Sequence, residues 1–245
     1  MVIFTKKNEF SFDDLINTSI ETGAFILVNK SLNWTSFDVV AKIRSLTKIK
    51  KIGHAGTLDP LAVGLLIVAL GKKATKEIEM FRDLNKTYLA EIKLGATTIT
   101  DDSEANEENI KDISEISELQ IKNVIKKFIG NIEQIPPIFS AQKINGTPAY
   151  KSARKNKEIL LRPKQVEIFS IEIKKVSLPL ITIEVICSKG TYIRSLARDI
   201  GKELRCGAYL YNLKRTNIGD YSVNDALSIE EIVQKYEITK AIGIN

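Results

Sequence analysis

The sequence predicts an α+β chain whose sheet is mixed and mostly antiparallel, flanked by helices and loops. Three observations carry this. Strand-like and helix-like stretches follow one another without the regular alternation of a doubly wound sheet. Thr87–Leu94 alternates apolar and polar residues, and Val166–Ile173 and Leu180–Cys187 read as a strand pair. Val39, Val40, Ile43 and Leu46, and again Ile121, Val124, Ile125 and Phe128, recur at helical spacing.

The elements follow in chain order. Phe25–Val28 is a short β-prone run. Ser36 is placed as the cap of the helix carrying Val39 and Val40, because a hydroxyl oxygen accepts from the free amides of a first turn. Leu65–Leu70 is continuously apolar between Gly64 and Gly71, the pattern of a buried strand. The strand from Thr87 stops at Gly95. Ser103–Ser114 is polar, acidic and aperiodic, and reads as a solvated loop. Ser117 and Gln120 form a capping-box signature before the helix of Ile121, and Gly130 is its expected stop.

Residues 135–162 carry Pro136, Pro137, Gly146 and Pro148 and few apolar side chains. They read as a long irregular segment with one helix near Ala149–Lys155, and loops of that length in compact domains are often functional. A helix over Ser195–Leu204 is buried through Leu196, Ile200 and Leu204, and Ala208–Asn217 returns as a strand. Ser228 and Glu231 make a second capping box before a terminal helix. No internal repeat is visible, and no linker divides the chain into equal domains.

Bulk properties narrow the chemistry. The chain has 245 residues, 44% apolar and 27% charged, an ordinary globular composition. No apolar run approaches the roughly 20 residues needed to span a bilayer, and Met1–Asn8 lacks the apolar core of a signal peptide, so a cytoplasmic location is expected. Cys187 and Cys206 are too few for a disulfide framework or a cysteine zinc site and are expected as reduced, buried thiols. His54 is the only histidine, which rules out a multi-histidine metal site and leaves carboxylates, Tyr, Lys and Arg to do most chemistry. The net charge of +6 suits a polyanion. Acidic residues crowd Asp101–Glu118, while basic ones dominate Lys42–Lys51, Lys143–Lys164 and Arg194–Arg215, the distribution of a protein with a phosphate-binding face.

Gly53-His54-Ala55-Gly56-Thr57-Leu58-Asp59-Pro60-Leu61-Ala62-Val63-Gly64 is the densest cluster of special residues, a tightly shaped loop leading into the apolar strand. Read alone, Asp59-Pro60 is a turn in which the Asp side chain bonds nearby amides. Ser188-Lys189-Gly190-Thr191-Tyr192-Ile193-Arg194 joins a strand to a helix, where backbone amides can bind an anion. Read alone, Arg194 is a solubilising charge.

Together the segments resemble a known family. GHAGTLDPLAVGLL is similar to the signature loop of bacterial tRNA pseudouridine-55 synthases, with the catalytic Asp in a G-x-L-D-P context. CSKGTYIRSLARDIG resembles that family's second motif, PPIFSAQKINGTPAYKSAR its RNA-contacting insertion, and KTYLAEIKLG the strand bearing its active-site Tyr. The four occur in family order between Phe25 and Leu227. Where the family often has Lys-Pro-x-Gly, this chain has Lys30-Ser31-Leu32-Asn33, and Thr98-Ile99-Thr100 stands for its Thr-Asp-Thr.

The resemblance implies the pseudouridine-synthase form of the α+β sheet, spanning 1–225 with an RNA-binding insertion at about 135–162. It implies a short C-terminal helix or tail over 226–245 in place of the complete RNA-binding β domain that often ends the family. The reaction breaks the bond from uracil N1 to ribose C1′ and rebonds the same base through C5. Nothing is oxidised or hydrolysed, so no cofactor and no metal is implied. Asp59 would attack C1′ or remove the 2′ proton, Arg194 would hold it ionised, and Tyr88 would take the C5 proton. Tyr192 would bound the pocket, Leu213 would pack on the target nucleotide, and His54 would fill space near the displaced uridine. Lys30 would contact RNA. Lys143 and Arg154 would hold phosphates in an insertion expected to become ordered on RNA. The implied partner is the T-arm stem-loop of tRNA, met by a monomer. The alternatives are a synthase acting on another RNA, guided by RNA and protein partners, and a non-catalytic tRNA folding helper.

Overall fold

Strands buried on both faces have no reason to alternate, and Ala24–Lys30 (β2) and Ala62–Leu70 (β4) are apolar at nearly every position. They pair antiparallel, with Ala24 opposite Leu70 and Lys30 opposite Gly64. One face, bearing Ile26, Val28, Leu66 and Val68, packs with side chains of helices α1 (Phe12–Glu21), α2 (Ser36–Thr47) and α7 (Ile229–Ile242). The other, bearing Phe25, Leu27, Leu65 and Ile67, meets Ala74 of α3 (Lys72–Glu77), Ile78, and Phe81 of α4 (Glu79–Arg82). A short β1 (Val2–Phe4) runs parallel to β2, and β3 (Ile52–His54) is antiparallel to β4.

This is the first of two units in the computed structural model, residues 1–87 with 214–245; the second is residues 88–213. Residues 2–140, 143–144, 147–148 and 161–242 are described. The expected helix near Ala149–Lys155 lies outside them, as does Arg154; of Lys143 only the backbone is described.

In the second unit the strands alternate as a half-buried sheet requires. β5 (Lys86–Leu94) buries Tyr88, Ala90, Ile92 and Leu94, and β10 (Leu180–Cys187) buries Ile181, Ile183, Val185 and Cys187. β10 pairs antiparallel with the long β9 (Lys164–Ser177), and β9 with β6 (Gly130–Gln134), giving the order β5-β10-β9-β6. α5 (Glu118–Lys126) packs on β9 and on α6 (Ile193–Glu203). β7 (Lys143–Ile144) and β8 (Thr147–Pro148) form a separate small hairpin. The strand β11 (Ala208–Ile218) carries the chain from the second unit back to the first, where it pairs with β12 (Tyr221–Ser222). With one parallel pair and antiparallel pairs elsewhere in these registers, the α+β sheet is mixed and mostly antiparallel, as expected.

Local details differ from the sequence reading. Thr35, not Ser36, caps α2: its hydroxyl accepts from the Asp38 amide while the Asp38 carboxylate accepts from the Thr35 amide. Ser36 is thereby released for another partner. Gly130 is not the stop of α5, which ends at Lys126 with Lys127 as its C-cap; it opens β6 with a φ of 104°. The capping boxes at Ser117 and Ser228 form as expected. α7 contributes Ile229 and Ile232 to the core of the first unit. Both cysteines are buried free thiols.

Candidate active site

The loop from His54 to Leu61 connects β3 to β4 and carries Asp59. Its shape is fixed from three sides within the first unit. The Ser36 hydroxyl, at the first turn of α2, accepts from the Leu58 amide at 2.8 Å and donates to the Leu58 carbonyl at 3.2 Å. The Asn33 amide donates to the Pro60 carbonyl, and the Ala62 amide to the Asp59 carbonyl. Arg215 of β11 donates from Nε to the Leu65 carbonyl at 2.8 Å and from Nη2 to the Gly56 carbonyl at 3.1 Å. Asp59 itself is half-buried and has interaction partners.

Lys30 corrects an expectation. Placed as an RNA contact, it is instead 0% exposed at the end of β2. Its ammonium donates to the carbonyls of Ser31 at 3.1 Å, Trp34 at 2.5 Å and Pro60 at 3.4 Å. An ammonium enclosed this way anchors the loop from inside and has no reach left for a phosphate. Burial pulls its pKa down to about 8, the Asp59 carboxylate opposes that shift, and the Arg215 charge adds to it.

His54 is half-buried, and its Nε2 lies 3.2 Å from the Thr57 hydroxyl. Burial, then the charges of Arg82 and Arg215, push its pKa below the ordinary histidine value, which favours the neutral ring. A neutral ring beside a hydroxyl suits contact and packing better than proton delivery.

In the second unit Arg194 is 6% exposed, inside the first turn of α6. Nη1 donates to the Thr100 carbonyl at 3.2 Å and Nη2 to the Phe139 carbonyl at 3.0 Å, and Nη1 lies 3.5 Å from the Asp102 carboxylate. Asp102 is held in turn by the Thr100 hydroxyl at 2.6 Å and the Glu104 amide at 3.0 Å. The result is a guanidinium whose plane is set from several directions. Next to it Arg198 pairs with Asp101 at 3.0 Å. Burial raises the Asp101 pKa and Arg198 works against it.

Tyr192 is the N-cap of α6, and the Gln134 side chain clasps its backbone, accepting from the amide at 2.7 Å and donating to the carbonyl at 3.0 Å. Tyr88 is buried on β5, and Leu213 is half-buried on β11. Among the named residues, the structure thus brings Lys30, His54 and Asp59 onto one loop assembly in the first unit. It places Tyr88, Tyr192, Arg194 and Leu213 in the second. Lys143 and Arg154 lie where no side chain is described.

Sequence reading missed Ser36 as a loop support, Asp102, Gln134 and Arg215. Only Arg215 left a trace. It follows Lys214 on a strand, where successive side chains point to opposite faces, so two adjacent cations cannot share one face. The Arg194–Arg215 run, expected as part of a surface, is buried at both of its ends. Among the described residues no group of three or more His, Cys, Asp or Glu is arranged to hold a metal. No helix among them is long and apolar enough to cross a membrane.

Comparison with known proteins divides the chain at a different place, between residues 193 and 194. Residues 44–193 match the family described as TruB family pseudouridylate synthase (N terminal domain), and residues 194–242 match the tRNA pseudouridylate synthase B C-terminal domain. A tRNA pseudouridine synthase B of Parabacteroides distasonis is 48% identical over 216 residues, covering 86% of this chain and 92% of that one. One of Phocaeicola vulgatus is 45% identical over 235 residues, covering 92% and 99%. Among solved structures, an H/ACA ribonucleoprotein bound to a substrate RNA containing 2′-deoxyuridine has a chain 26% identical to this one. The TM-score is 0.69, and the match covers 99% of this chain but 60% of that one. A chain of an archaeal box H/ACA sRNP complex gives 0.67 at 26% identity, with 93% and 58% covered.

Proposed function

The chain belongs to the TruB family of pseudouridylate synthases, and from that premise we propose that it isomerises uridine to pseudouridine at position 55, in the T-arm of tRNA. The observation that carries the reading is Asp59, half-buried at the middle of a loop pinned from three sides, with the buried Lys30 ammonium bonded to the carbonyl of the next residue, Pro60. A carboxylate that must attack C1′, or take the ribose 2′ proton, has to be ionised and fixed before the nucleotide arrives. A turn-forming aspartate needs no such enclosure.

The other roles rest on motif resemblance. Arg194 serves as the fixed cation of the site, a role that suits its immobilised guanidinium. Tyr88 takes the proton from C5 after rebonding. Tyr192 and Leu213 bound the everted nucleotide, and His54 fills the space it leaves. Turning a stacked uridine out of the arm costs a few kcal/mol, which contacts of this kind offset. Lys143 and Arg154 hold phosphates. The protein acts as a cytoplasmic monomer. No cofactor enters, since one carbon–nitrogen bond is exchanged for one carbon–carbon bond with no change of oxidation state overall.

The second reading, a synthase serving a guided particle, is favoured by the likeness to the H/ACA complexes. One experiment separates the two: incubate the purified protein with an unmodified T-arm stem-loop and map pseudouridine at single-nucleotide resolution. Conversion of one loop uridine without guide RNA or protein partner is the expected result. Conversion only when guide and partners are added moves the activity to the second reading, and no conversion in either case overturns both.

A further inference from the structure

We propose that Arg215 is a positioning residue for the reaction, a clamp that closes the neck of the loop bearing Asp59. The inference rests on the function proposed above and concerns how the site is held in shape.

A guanidinium is costly to bury, and Arg215 is 1% exposed. Among the described residues its hydrogen-bond acceptors are neutral carbonyls, those of Gly56 and Leu65. What distinguishes these carbonyls is their place in the chain. One lies just before Asp59 and the other just after the loop has become β4. A single planar group therefore fixes the separation of the two ends of the segment that carries the carboxylate.

The backbone around the clamp fits it closely. Gly56 has a φ of +86°, and a Cβ there would stand 3.6 Å from Nη1 of Arg215. Gly64 has a φ of +106°, and a Cβ there would lie 2.3 Å from the Arg215 carbonyl oxygen. Gly64 thus lets the β11 backbone approach at the β4 end, while at Gly56 a Cβ would make only ordinary contact with the guanidinium and the glycine serves the positive φ. The charge is also felt by Lys30 and His54, whose proton affinities it lowers, which places it beside the residues that flank Asp59.

A clamp of this kind acts on geometry before chemistry. Releasing it displaces the carboxylate without removing any group that touches RNA, and a misplacement of about 1 Å costs on the order of 100-fold in rate. The test is steady-state kinetics on the unmodified T-arm stem-loop with wild type, Arg215→Met and Arg215→Lys. Amide hydrogen exchange over residues 55–62 is measured in parallel. Arg215→Lys keeps the buried charge but lacks the planar fork, and it is the variant that decides if Arg215→Met fails to fold.

The expected result is a kcat lowered by roughly 100-fold with KM within about threefold of wild type. Faster exchange confined to the loop should accompany it. Wild-type kcat in the lysine variant, a loss carried entirely by KM, or unchanged exchange over 55–62 would each overturn the clamp. An inactive wild type would instead count against the proposed function.

Discussion

Lys30 shows how little a residue type says about where its charge will sit. Its stem and ammonium are wholly enclosed, and burial brings the pKa to about 8 from an ordinary 10.5. The consequence for stability has a definite sign. Between pH 8 and 10.5 the unfolded chain still holds the lysine proton while the folded chain releases it. The unfolded state then binds more protons, so this group's contribution to stability rises with pH across that window and is constant below it. Comparing urea unfolding of wild type and Lys30→Met from pH 7 upward, wild type should gain on the variant above pH 8. A difference flat across that range would mean that Lys30 titrates as an exposed lysine. Among single residues, what was legible in the sequence was the chemical repertoire: one histidine, and an Asp-Pro turn in a glycine-rich loop. What was not legible was direction. Lys30, Arg194 and Arg215 look like surface cations in one dimension, and all three are internal.

At the scale of elements, helix α2 and the loop it supports are one device. Thr35 and Asp38 cap the helix between themselves, which leaves Ser36 free to bond both the amide and the carbonyl of Leu58. Removing a hydroxyl that is 1% exposed strands two buried backbone groups. Ser36→Ala should therefore cost about 1–3 kcal/mol in denaturant unfolding and lower turnover as well. A change in neither would show that the helix does not hold the loop. The strands that sequence reading found include those with a strong signature, continuous apolar runs in β2 and β4 and alternation in β5, together with β9, β10 and β11. The ones it missed have no period to read. β1 and β3 have three residues each, and α4 has four with no side-chain cap. α1 was missed for another reason: its capping box uses Ser11 and Asp14, and the shorter Asp is outside the usual Glu or Gln signature.

For the whole molecule, the chain order of the motifs and the division into units do not coincide. β5 and β11 each cross the division, between Thr87 and Tyr88 and between Leu213 and Lys214. Lys30, His54 and Asp59 belong to one unit, while Tyr88, Tyr192, Arg194 and Leu213 belong to the other. Local periodicity does not predict such a distribution. It was the ordered set of four motif segments, not any single stretch, that pointed to the family the chain belongs to. The central claim is that the Asp59 carboxylate does the chemistry while other residues hold the RNA. Asp59→Asn tests it most directly, since the amide keeps the size and polarity of the side chain but is neither nucleophile nor base. Binding of an unmodified tRNA and pseudouridine formation in it should be measured on the same preparation. Wild-type affinity with no detectable product is the expected result. Turnover near the wild-type rate in Asp59→Asn would contradict it.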